Sequence, residues 1–156
     1  MAVIDIYTDG SCKPNPGPGG WAAILFTTIN DKPYSKEFSG GSVDTTNNQM
    51  EMQAVLEGLK RLNAPGCSVR VHSDSQLVIG YFKHGWKCGD YDLGLIKTDI
   101  LSVIEDLALT VEWIKVKAHS GHEMNERADE LAKQQTDAAK DRLEIAGLVA
   151  KKFKFA

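Results

Sequence analysis

VIDIYTDG, residues Val3 to Gly10, alternates apolar and polar side chains and ends on a carboxylate. Ile4, Ile6 and Thr8 fall on one face of an extended chain, and Val3, Asp5, Tyr7 and Asp9 on the other, so the stretch predicts a strand ending at Asp9. The Gly/Pro-rich run from Pro14 to Gly20 predicts a loop. Trp21 to Ile29 then reads as a second strand and Tyr34 to Phe38 as part of a third, divided by the turn-like Asn30-Asp31-Lys32-Pro33. Three sequential strands with short turns make an antiparallel meander.

The period changes at Asn47. Glu51, Val55, Leu59 and Leu62 recur at helical spacing, Thr45 or Thr46 can cap the N-terminus, and Asn63-Ala64-Pro65-Gly66 stops the helix. Val69 to Ser73 predicts a fourth strand with Asp74 at its end. A short helix over Gln76 to Phe82 follows, then a loop from His84 to Asp92. Leu93 to Leu107 reads as a helix and Val111 to Val116 as a fifth strand. A helix from Met124 to Lys133, continuing to about Ala139, comes last. The order βββ-α-β-α-α-β-α implies an α/β fold, a five-stranded mixed sheet with helices on both faces. A right-handed crossover would make the first and fourth strands parallel neighbours. Asp9 and Asp74 would then lie side by side at the carboxyl edge, where α/β sheets place ligands, and Glu51 could point into the same crevice.

Composition narrows the function. With 156 residues the chain fits one domain, or a domain plus a short tail. No apolar run reaches the roughly 20 residues of a membrane span. The strand-like start leaves no room for a signal peptide. Cys12, Cys67 and Cys88 are odd in number and scattered, which suggests free thiols in a reducing compartment and hence a cytoplasmic protein. Eighteen Lys and Arg against 21 Asp and Glu leave a net charge of −3, which counts against a purely electrostatic nucleic-acid binder. It leaves room for an enzyme whose acidic pocket is neutralised by divalent ions that also touch phosphate.

Four carboxylates stand in four separate segments. Asp9 opens DGSCKPNPGPGG, Glu51 lies in TTNNQMEM, Asp74 in HSDSQ and Asp129 in KAHSGHEMNERADELA. Singly, each is an ordinary turn, cap or solvated helix residue. Jointly they form a set of hard oxygen ligands that suits Mg2+ or Mn2+. Two such ions can clamp a phosphodiester undergoing in-line attack, which makes a metal-dependent nuclease the leading reading.

These motifs, DGSC…NPGPGGW, TTNNxMExxA, SDSQ and HxGHxxNxRADELA, resemble those of type 1 ribonucleases H over about residues 2 to 135. The resemblance implies the ribonuclease H-like fold and hydrolysis of the RNA strand of RNA/DNA hybrids, leaving 3′-hydroxyl and 5′-phosphate ends. It makes Asp9, Glu51, Asp74 and Asp129 the metal-binding catalytic carboxylates, with two Mg2+ ions that Mn2+ can replace. His119 matches the first His of the family's mobile loop, which assists proton transfer or product release. Asn125 matches a position beside the site. Cys12, Asn15, Asn47, Asn48 and Gln76 match positions that read the minor groove, where the 2′-hydroxyl is displayed. Thr46 is a candidate for a DNA-strand phosphate and Trp86 for stacking on DNA sugars. His122 is expected to stabilise its loop or cap the helix.

The sequence departs from the family in two places. Lys83 and Lys87 are balanced by Asp90 and Asp92, so no basic protrusion is present, and Gln49 stands where many members carry a basic residue. Both predict weaker substrate affinity and a shallower salt dependence. Residues 136–156 lie beyond the resemblance, as a helical or flexible C-terminal extension to a catalytic domain at 1–135. Its basic and aromatic KKFKF suits nucleic acid, but a helix packing Ile145, Leu148 and Val149 against the domain is preferred. A non-catalytic hybrid-binding module and a DNA-cutting relative of the same fold are the alternatives. The four carboxylates argue against the first, and the TTNN and SDSQ contexts against the second. The default assembly is a monomer.

Overall fold

A computed structural model of the chain describes residues 3–118 and 121–153. Five strands, β1 (Val3–Cys12), β2 (Gly17–Ile29), β3 (Lys32–Thr45), β4 (Ser68–Ser73) and β5 (Thr110–Lys115), form one sheet in the order β3-β2-β1-β4-β5. The first three make the expected meander, with β1 antiparallel to β2 and β2 to β3. β4 pairs with β1 in parallel, as the crossover rule requires, and β5 extends the parallel half. The helices are α1 (Asn47–Lys60), α2 (Gln76–Phe82), α3 (Tyr91–Asp106) and α4 (Glu123–Phe153).

Sequence alternation decides what each face buries. Ile6, Ala23 and Val71 point to one side of the sheet and pack on Met52, Val55 and Leu59 of α1 together with Ile100 of α3. Tyr7, Ala22 and Ile24 point to the other and pack on Ala128, Leu131 and Ala132 of α4. Leu59 is fully buried, so its replacement by Ala would cost about 2–5 kcal/mol and loosen the helix that carries Glu51.

Several boundaries differ from the sequence reading, and those of β1, β2 and the last helix bear on the site. β1 runs three residues past Asp9, and β2 begins at Gly17, inside the expected loop, because Gly19 and Gly20 pair with Cys12 and Ser11. Glycine is required there: a Cβ on Gly20 would lie 2.4 Å from the Ala132 carbonyl oxygen, so its absence lets α4 lie close against β2. The last helix and the expected helical extension are one unbroken element that runs to Phe153. At 31 residues it is about 46 Å long. Ala139 is buried, but Ile145 and Leu148 are 60% and 67% exposed, so the packing expected of those two residues does not form. The physical reason is the topology. β3 is the edge strand, and past it no sheet remains beneath the helix.

Candidate active site

Glu51 reaches the sheet because α1 starts early and comes close. Thr46 takes extended backbone angles and its hydroxyl accepts from the Gln49 N–H, fixing the first turn. Glu51 stands one turn further on, over Gly10. A Cβ on Gly10 would lie 2.3 Å from the Glu51 backbone nitrogen, so only glycine allows this approach. The Gly10 N–H then donates to Glu51 Oε1 at 2.6 Å and to Asp9 Oδ1 at 3.0 Å.

Asp74 follows the last residue of β4, next to Ser75, which caps α2 by accepting from the Val78 N–H. The side chains of Asp9, Glu51 and Asp74 converge, with one oxygen of each lying within 4.8 Å of the others. Asp129, in the second turn of α4, lines the same crevice, which holds about 560 Å3. Lys133, one helical turn on, pairs with it at 3.0 Å. Asn125 opens with Asp9, Asp74 and Asp129 onto a smaller hollow behind the crevice.

The electrostatics are those of clustered, buried carboxylates. Asp9 is pushed up to about 7, first by burial and then by the charges of Asp74 and Asp129, with the adjacent Glu51 carboxyl working the other way. Burial and the Asp9 charge push Glu51 well above the usual carboxylate range. A close carboxylate pair shares protons in this way. Glu51 Oε2 is buried and, among the described residues, is the one such side-chain oxygen without a hydrogen-bond partner. A divalent cation fits this donor set, because it would satisfy the orphaned oxygen and offset the clustered charge.

The other expected contacts fall into two groups. Asn47, Asn48, Gln76 and Trp86 line the crevice, joined by Ser11, Ser75 and Leu77. Trp86 lies on Gly80, where a Cβ would clash with its ring, and remains 48% exposed. Three residues are placed differently. Cys12 is buried with its Sγ near the carbonyls of Pro14, Gly17 and Thr45, so its side chain ties the loop and only its backbone can face substrate. Asn15 accepts from the Asn47 N–H at 3.2 Å and so braces the crevice rim. Thr46 caps α1 and lines a separate hollow with Gln49 and Asp92. His119 lies outside the described residues. Sequence reasoning missed Gly10, whose requirement arises only in three dimensions, and Lys133, whose i+4 spacing from Asp129 was available.

Comparison with known proteins adds an independent line. The RNase H family model matches residues 1–137. Among curated proteins, a Ribonuclease H of Hahella chejuensis is 44% identical over 142 residues, covering 85% of this chain and 92% of that protein. A Ribonuclease HI of Caulobacter vibrioides is 47% identical over 140 residues, covering 83% and 89%. The N-terminal RNase H domain of a Mycobacterium tuberculosis protein superposes with a TM-score of 0.76 at 26% identity, covering 92% of this chain and 99% of that one. LC11-RNase H1, solved in complex with an RNA/DNA hybrid, gives 0.64 at 27% identity, covering 87% and 98%.

Proposed function

The chain belongs to the ribonuclease H family, and from that membership we propose that its acidic crevice hydrolyses the RNA strand of RNA/DNA hybrids. The carrying observation is the convergence of Asp9, Glu51 and Asp74, with one buried oxygen unsatisfied, on the floor of an open crevice. Asp9, Glu51, Asp74 and Asp129 would hold Mg2+, two ions per site, with Mn2+ able to substitute. When bound, the metal supplies a water of lowered pKa and neutralises the departing 3′ oxygen.

The protein's own groups do the rest. Asp9, central to the cluster, would be the principal carboxylate for the metal. Asn125 orders the hollow behind Asp9 and Asp129. His119 moves a proton during turnover or product release. Asn47, Asn48 and Gln76 are short polar side chains at the rim, suited to a 2′-hydroxyl, and the exposed face of Trp86 suits the sugars of the DNA strand. Asn15 and the Cys12 backbone hold that rim in shape, and Thr46 offers a hydroxyl to a DNA phosphate. Residues 1–135 form the catalytic unit and 136–156 its extension. The enzyme acts as a monomer in the cytoplasm.

Two features favour catalysis over a purely binding role. All four carboxylates are present, and a binding surface for a polyanion gains nothing from burying uncompensated negative charge. Cleavage of an end-labelled hybrid with Mg2+, with EDTA and Asp9→Asn as controls, is the test. Metal-dependent cutting of RNA alone, lost in the variant, is expected. Folded wild-type protein that cuts no hybrid with either Mg2+ or Mn2+ defeats the reading.

A further inference from the structure

Below the carboxylates, the same faces of β1 and β4 carry a second ladder. Register pairs Asp5 with Arg70 and Tyr7 with His72; Asp9 lies two residues past Tyr7 on β1, and Asp74 two residues past His72, just beyond the end of β4. Asp5, only 6% exposed, accepts from Arg70 Nε and from His72 Nε2, both at 2.7 Å. His72 stacks on Tyr7 with ring centroids 4.3 Å apart and planes 15° apart. Tyr7 stacks in turn on His122 at 5.2 Å and 28°. His122 stands at the end of the loop from β5, and its carbonyl accepts from the Glu126 N–H, opening α4. Both its ring and its backbone are therefore committed, one to the sheet and the other to the helix that carries Asn125 and Asp129.

We propose that the Asp5–His72–Tyr7 column is a positioning device that seats His122 and thereby sets the first turns of α4 against Asp9 and Asp74. Neither Tyr7 nor His72 touches the crevice. They act through His122, so their effect falls on the arrangement of the reacting groups rather than on substrate capture. An exposed loop residue has no need of an aromatic seat for solubility or folding. This one stands on a ring held by a second ring that is itself hydrogen-bonded to a buried carboxylate. The inference rests on the hydrolytic reading above.

The test uses the full chain and an RNA/DNA hybrid. His122 is exposed, so His122→Ala should fold with a Tm near that of wild type. Its kcat should drop about five- to tenfold with KM nearly unchanged, the size of one lost ring stack expressed as a rate. His122→Phe, which keeps a ring but no imidazole, should restore most of the rate. Tyr7→Leu should cause a similar loss and abolish the ring-current shift of the His122 imidazole protons in NMR spectra. The Tyr7→Leu/His122→Ala pair should be no slower than either single change. Wild-type kcat in His122→Ala, or a His122→Phe enzyme as slow as the Ala variant, would overturn the proposal. Should Tyr7→Leu fail to fold, the two His122 variants still decide. A wild-type protein that cuts no hybrid refutes the hydrolytic reading, a different result from an active His122→Ala.

Discussion

Asp5 and Asp9 lie four residues apart on the same face of one strand, and both are almost fully buried. Burial pushes both carboxyls up, but at Asp5 the hydrogen bonds and charges of Arg70 and His72 outweigh it and hold the group below its usual range. At Asp9 the neighbouring charges are negative, and the group is pushed up to about 7. One strand thus carries a compensated charge and an uncompensated one within two turns of the pleat. The first serves the fold. The second stays uncompensated, because burial raises it and its neighbours are carboxylates instead of Arg70 and His72.

The strongest way to break this contrast is to neutralise each carboxylate. Asp9→Asn should lower hybrid cleavage on the order of a thousandfold, measured in single-turnover assays, because a ligand of the metal that would stabilise charge at the reacting phosphate is weakened. At the same time it should raise the Tm of the metal-free protein at pH 8, since one of several like charges is removed. Asp5→Ala should do the reverse to stability. It leaves Arg70 and His72 without a partner, and a loss of about 2 kcal/mol, or about 5 °C in Tm, is expected by calorimetry, reduced because Arg70 is partly solvated.

Metal should reverse the order of the two sites. Mg2+ must displace protons held by Asp9 and Glu51, so its affinity should climb as pH rises through about 7. Titration calorimetry in buffers of different ionisation enthalpy would detect the released protons. Pure heats of binding with no buffer dependence at pH 6 would contradict the assignment.

In metal-free protein the stability profile follows from the same shifts. Asp9 and Glu51 bind protons more tightly when folded, so their contribution is fully present below the ordinary carboxylate range. It is lost as pH climbs from about 4 toward the raised values. Asp5 contributes in the opposite sense: its share is present above the ordinary range and disappears as pH falls through its lowered value. Thermal melts of wild type and Asp9→Asn should therefore diverge as pH rises. The smallest effect belongs to the exposed pair between Lys133 and Asp129. Lys133→Met should change stability by less than about 0.5 kcal/mol, and a larger shift in denaturant melts would mean the pair does more than screen Asp129.

Much of the architecture was legible because it rests on periodicity. The alternation of Val3 to Asp9 and the helical spacing of Glu51, Val55 and Leu59 each name a face, and the crossover rule then places Asp9 beside Asp74. The three converging carboxylates followed from that topology. What escaped was contact between elements distant in sequence. Gly17 to Gly20 looked like loop because glycine and proline usually mark loops, whereas here small residues admit a packed helix against a strand. The column of Asp5, His72, Tyr7 and His122 was invisible for the same reason, since no one segment contains it. The far end of α4 was legible as a helix but not as an exposed one, because where the sheet ends beneath it is set by topology and not by its own apolar pattern.

Gly10 has a consequence for how this enzyme would look to genetics. Its missing side chain is the only reason the Glu51 backbone can lie where it does. In a saturation library screened for hybrid cleavage, codon 10 would score with the aspartates, although glycine carries no reactive group. Even alanine would force the helix outward, so no second-best residue exists at that position. A map of mutational intolerance is therefore expected to mark Gly10 beside the carboxylates of the crevice, although glycine takes no part in the chemistry.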